Sequence, residues 1–254
     1  MSRPLEAIGR RLPHGWRDLL LQLALFFGVY QGYQVVRGLS EGREILAFAN
    51  AERIIEIERA LGLYFEPGLQ SLALELGWAV DLANWTYVNS HFVVTTSFLA
   101  WLYLRRNDHF YFVRNMFMVA MLVALTGYLL VPTAPPRLVP GDGVIDTIAT
   151  FTSVDQDNKA VGLLVNKYAA VPSMHIGFSL MVAVPAMMLV RTRLAGVLWS
   201  LYPLLVFSAI VITGNHFWLD AAAGAAVAAV SGLIAHRLLA PVRPTAWAFR
   251  GAAA

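Results

Sequence analysis

Six stretches of the chain are apolar over enough consecutive positions to cross a bilayer, and the polar residues that interrupt them cluster near their ends. They occupy residues 19–36, 82–104, 111–131, 173–190, 194–213 and 217–239. Between the first and second runs the pattern changes. Over residues 41–61, Ile54, Ile57, Leu61 and Phe65 recur at helical spacing among Glu52, Arg53, Glu56, Glu58 and Arg59, which predicts an amphipathic helix in the membrane interface. Residues 69–80 are apolar but too short to span, and Glu75 and Gly77 interrupt them, so a re-entrant or interfacial segment is expected, flanked by Glu66 and Gln70. The fold expected is all-α: one polytopic membrane helix bundle over residues 1–254, with six transmembrane helices and an interfacial helical region at 41–80.

Composition agrees, with 58% hydrophobic and 14% charged residues against about 25% charged in soluble domains. The absence of cysteine rules out disulfides and thiolate metal sites. A net charge of +3 is too small and too dispersed to suggest nucleic acid, and membrane orientation accounts for it better. Arg105, Arg106, Arg114, Arg191, Arg193, Arg237, Arg243 and Arg250 fall on the same side of the six runs as the basic N-terminal segment. The positive-inside rule then puts both termini in the cytoplasm and residues 41–81 and 132–171 outside. Arg10-Arg11 before an apolar run also allows a signal peptide, but no small-x-small cleavage pattern follows and the run is read as a span.

Against this apolar background the polar stretch 213–220 stands out. His216 and Asp220 are four apart, which on a helix places carboxylate and imidazole on one face. An ionisable group at the centre of a span costs about 2.5–3.5 kcal/mol on insertion scales, so such groups usually face a cavity and serve a function. A second polar helix start, residues 171–177, supplies Ser173 and His175. With Gly214-Asn215 before the last run, two helix N-termini would point free N–H groups into one region, an anion site. The long connection 132–171 opens with prolines that fix the backbone and present Arg137, leaving Lys159 and Lys167 as the other bases of an acidic loop. Arg137, Lys167 and Asn215 are the expected phosphate contacts. Ion pairing with Asp142, Asp155 or Asp157 is the alternative for Arg137 and the preferred reading for Lys159.

His175, His216 and Asp220 together suggest phosphoryl transfer: one imidazole as nucleophile, the carboxylate fixing its tautomer, and the other imidazole as acid and base. Asn84, Tyr87, His91 and Thr95 share one face of the second run, either to bind a hydroxylated acceptor or to hydrogen-bond between helices. Two other readings stay open. His-His-Asp can hold zinc, although no further ligand is evident and Arg137 opposes a cation. A transporter would place its site at midplane on broken helices, whereas these polar residues gather at helix ends. The expectation is an enzyme without metal or cofactor whose partner is a membrane phospholipid or lipid-linked phosphate.

The pattern Pro172-Ser173-x-His175 with His216-x-x-x-Asp220, after a proline-rich turn ending in Arg137 and within six spans, resembles the type 2 phosphatidic acid phosphatase superfamily. Its inositolphosphorylceramide synthase branch, with bacterial relatives, looks most similar. The resemblance runs from about residue 44 to about residue 224. It implies that His216 forms a phosphohistidine, Asp220 orients it, His175 protonates the leaving oxygen and Ser173 helps bind phosphate, without a metal. The chain departs from the lipid-phosphatase pattern, with Leu130 at the usual Lys, Met174 at the Gly of PSGH, and Ala209-Ile210 at the usual Ser-Arg. That thinner phosphate clamp favours transfer of a phosphodiester-linked headgroup over hydrolysis of a phosphomonoester.

Overall fold

The computed structural model describes residues 9, 12–38, 43–152 and 168–249, and the regular secondary structure among them is helical. Helix α1 (Gly15–Gly38) is followed by α2 (Glu44–Ala60), α3 (Glu66–Glu75) and α4 (Trp78–Trp85). A π-helical segment, Thr86–Ser90, carries α4 without a break into α5 (His91–Arg105), and α6 (Asn107–Leu130) returns. The connection after it holds a 3₁₀ turn at Pro136–Leu138 and the short α7 (Thr147–Thr152). Helices α8 (Met174–Leu189), α9 (Arg193–Ile212) and α10 (Trp218–Ile234) complete the bundle, and α11 (Pro244–Trp247) closes the described chain.

Three helical stretches are long and apolar enough to cross a membrane: Asn107–Leu130, Arg193–Ile212 and Trp218–Val242, the last including the turns that extend α10. They match three of the six expected runs. A fourth, α8, is apolar apart from His175 and Ser179 but has 16 residues. The first expected run lies in a helix of 24 residues that includes Asp18 and Gln22, and the second continues a helix that begins four residues earlier, at Trp78. The core between α5, α6, α8 and α10 is built from Phe98, Leu102, Phe117, Met181, Val182 and Val227.

The amphipathic segment is helical where the sequence predicts it, but it turns the other way. The buried face of α2 is Ala47, Ala51, Ile55 and Glu58, whereas Ile57, Leu61 and Phe65 from the predicted stripe are exposed. In an apolar solvent burial no longer selects the largest side chains: small residues let helices approach and polar ones find partners inside, while large aliphatic groups can face lipid. Helix α3 follows the same rule, burying Glu66, Gln70 and Ala73 while Leu72 and Leu74 are exposed. Gln70 donates to Ile145 O at 2.9 Å and Ile212 O at 2.8 Å and accepts from Ile145 N–H at 2.8 Å. It thereby ties the long connection to the end of α9.

The two ends of the bundle differ. At the end where α1 and α6 begin, Asp18 accepts from both Tyr103 and Tyr111 hydroxyls at 2.9 Å, and Arg114 donates to Gln22 at 2.8 Å. Arg114 also lies 5.1 Å from the Tyr111 ring and 6.0 Å from that of Trp247 in α11. At the other end, where α6 stops and α8 and α10 start, Tyr128 donates to Pro172 O at 3.1 Å and Ser173 N–H donates to Asp220 O at 2.9 Å. Helices α8 and α10 touch there through Gly224. A Cβ at that position would stand 2.0 Å from Ser173 O, far inside any van der Waals contact.

Candidate active site

The turn between α9 and α10 builds the centre of the site. Gly214 has φ +66°, which allows the chain to reverse, and Asn215 and His216 N–H groups both donate to Ile210 O, at 3.1 and 3.2 Å. Helix α10 begins only at Trp218, so His216 precedes it instead of sharing a helical face with Asp220. The pair still meets. Asp220, in the first turn, folds back to accept from Phe217 N–H at 2.9 Å, and the same Oδ2 lies 3.3 Å from His216 Nδ1.

His216 Nδ1 is also 3.0 Å from Ala170 O. A carbonyl can only accept, and so Nδ1 carries the proton and Nε2 keeps its lone pair. His175, the second residue of α8, brings its ring to 5.6 Å from that of His216. It is packed on its other sides by Tyr87, stacked at 4.3 Å, and by His91 at 5.0 Å. Tyr87 belongs to the π segment and His91 follows it. That wider turn, a form frequent at functional sites, brings both rings to one imidazole.

Ser173 caps α8 without making a side-chain cap bond. It is fully buried, and its Oγ has no hydrogen-bond partner among the described residues. Arg137 is held on the Gly214-Asn215 turn: its N–H donates to Gly214 O at 2.9 Å and its guanidinium donates to Asn215 Oδ1. Its ion-pair partner is Asp146, at 2.9 Å, whereas Asp142 pairs with Arg59 and Asp155 and Asp157 lie outside the described residues. Lys159 and Lys167 lie outside them as well. Asn84 turns from the Tyr87–His91 group to Thr147, accepting from its hydroxyl at 2.8 Å and donating to its carbonyl at 3.4 Å, which fastens α7. Thr95 is buried on α5.

One expectation of the sequence needs correction. Two helix N-termini point into this region, but that of α10 is already filled by the chain's own carboxylates. Phe217 N–H is taken by Asp220, Trp218 N–H by Glu66 at 2.9 Å, and Leu219 N–H by Glu58 at 3.1 Å. Only α8 presents its first turn uncapped by a side chain. Glu58 and Glu66 read in the sequence as members of charged flanks. The only signal that could have found them is their position on the same helical faces as the small or amide residues Ala47, Ala51 and Gln70.

Among the described residues no group of three or more His, Cys, Asp or Glu side chains could hold a metal ion. The PAP2 superfamily matches residues 52–234, which spans α2 through α10. The chain belongs to the PAP2 superfamily, whose members are generally phosphatases or phosphotransferases, with lipid phosphoesters as substrates. No curated protein and no solved structure matches it.

Proposed function

We propose that this chain is a metal-independent phosphotransferase that moves a phospho-headgroup from a lipid phosphodiester to an alcohol, through a phosphohistidine on His216, at the outer face of a bacterial plasma membrane. The observation that carries the reading is the environment of His216 Nδ1, faced by Ala170 O and Asp220 Oδ2. Both require a proton on Nδ1, so Nε2 is the nucleophile, and the imidazolium-like charge that develops on attack is stabilised by Asp220. The Nε2–P bond forms as the bond from phosphorus to the leaving lipid oxygen breaks, and His175 gives that oxygen its proton. In the second half the acceptor hydroxyl loses its proton to His175 while its oxygen attacks phosphorus and the N–P bond breaks. Ser173, Arg137, Asn215, Lys167 and the first turn of α8 are the phosphate contacts; Tyr87 and His91, packed on His175, line the acceptor side.

Scarcity of positive charge among the described residues favours a phosphodiester donor. Arg137 is already paired with Asp146, and three carboxylates occupy the start of α10. A phosphomonoester dianion would meet this field at greater cost than a phosphodiester monoanion. The six-span arrangement, four spans besides α1 and the Trp78–Arg105 helix, completes the proposal.

The test is product analysis of purified protein with fluorescent phosphatidic acid and phosphatidylinositol in mixed micelles, with and without inositol or glycerol. Transfer gives a new phosphodiester that depends on the added polyol, and an unchanged product set in its presence would assign hydrolysis instead. His216→Ala and His175→Ala are both expected to lose turnover by 10³-fold or more, roughly the cost of removing a nucleophile or its acid–base partner. A phosphoenzyme should be trapped in His175→Ala with a donor whose leaving group needs little protonation, and never in His216→Ala. Labelling of both variants, or of neither with any donor, refutes the assignment of roles.

A further inference from the structure

Glu58 and Glu66 come from different helices, are fully buried, and converge on the first turn of α10. Glu66 Oε1 accepts from Trp218 N–H and Glu58 Oε1 from Leu219 N–H, while the Oε2 of each is buried without any other partner among the described residues. The two carboxyl groups accept from consecutive N–H groups of one helical turn, which brings them together. Two carboxylates so placed do not both ionise away from water, and one proton between them satisfies both orphan oxygens at once. The charges of the described residues around the pair do not relieve it. Asp220 on α10 adds to the repulsion, and Asp142 in the long connection and the Tyr64 hydroxyl, between α2 and α3, supply no cation. Arg59, next to Glu58 in the chain, directs its guanidinium to Asp142 at 2.9 Å. Burial first, and then the Glu66 charge, push the Glu58 carboxyl up to about 9.

We propose that Glu58 and Glu66 are positioning residues: a proton-sharing pair of carboxyl groups that holds the first turn of α10, and through it Asp220 and His216, in the reacting geometry. The first two N–H groups of the helix are tied to a platform outside the bundle core, and Asp220 follows directly behind them. Releasing either tie lets the turn carrying the carboxylate shift against an imidazole that Ala170 O holds independently. The kinetic consequence rests on the phosphotransferase reading; the shared proton does not.

Infrared spectroscopy of the purified full chain near neutral pH therefore tests the pair directly. Wild-type protein should give a protonated carboxyl C=O band that fades as pH is raised past about 9. Glu58→Gln or Glu66→Gln, whichever folds, should remove it. Absence of the band in wild type, or its survival unchanged in both variants, overturns the proposal. With fluorescent phosphatidylinositol as probe, Glu58→Ala should lower kcat on the order of 100-fold with little change in KM, as expected for a misplacement of about 1 Å. Glu58→Gln, which can still bridge Leu219 N–H and Glu66, should recover at least a tenth of the lost rate. Wild-type kcat in the alanine variant overturns the positioning role. A wild-type protein inert toward every lipid counts against the phosphotransferase reading alone, and the infrared result then decides the pair.

Discussion

A buried hydroxyl without a partner costs a folded chain about 1–3 kcal/mol, and Ser173 pays it at the mouth of α8, beside the residues that meet His216. The expense is explained if phosphate oxygen completes the group when substrate binds. Ser173→Ala should then raise thermal stability by about 1–3 kcal/mol, since the hydroxyl has no partner among the described residues and its desolvation cost is removed. The same change should lower kcat/KM by roughly 10-fold or more, the worth of a hydrogen bond to a charged group. Parallel melting curves and initial rates check it, and a variant both destabilised and fully active would assign the hydroxyl to the fold. The His216–Asp220 partnership was legible from its four-residue spacing, although the reason given by that spacing, a shared helical face, was not the one the turn uses. The place of Arg137 was legible from its prolines, but its partner Asp146 was not, because the connection carries several acids and sequence does not say which of them folds back to it.

Among the helices, the contact between α8 and α10 sets the distance between the two histidine motifs. Gly224→Ala would drive a methyl group to 2.0 Å from Ser173 O. It should cost about 3 kcal/mol or more, at the upper end of overpacking effects. Gly232→Ala, on the same helix with Met116 Sδ at 3.6 Å from the added carbon, should be neutral or stabilising by up to about 1 kcal/mol. Thermal unfolding of the two variants side by side checks the contrast. The platform of α2 and α3 adds a pH dependence of definite sign. Glu58 binds its proton more tightly in the folded chain, near 9, than at the ordinary value of 4.5. Its contribution is fully present below about 4.5 and is lost as pH rises toward 9. Melting temperature should fall across that window in wild type and fall less in Glu58→Gln; equal slopes would remove Glu58 as the source. The helix α2 was legible but its buried Glu58 was not, because a helix rich in Glu and Arg looks solvated until its lipid-facing side is known.

At the level of the whole chain, the expected orientation puts the connection 132–171 outside and the arginine-bearing turns inside. Cysteine introduced at Ala149, exposed on α7, should react with an impermeant maleimide in intact cells, and one at the exposed Arg191 only after permeabilisation. The reverse pattern would place the chemistry in the cytoplasm. Spans were the most legible feature, since a run of apolar residues long enough for a bilayer has few other uses. Two expected runs, 19–36 and 82–104, lie in helices that mix small, polar and apolar residues and are not among the three long apolar ones. The polar network that joins Asp18 and Gln22 to Arg114, and Arg114 to Trp247, bears on the number of crossings. It brings the start of α1 and the last described helix to one end of the bundle. A path that leaves a face of the membrane and comes back to it crosses an even number of times. With that end at one face of a bilayer, as the proposed orientation has it, three crossings would leave the chain on the wrong side, and the proposed six-span arrangement returns it to the face it left.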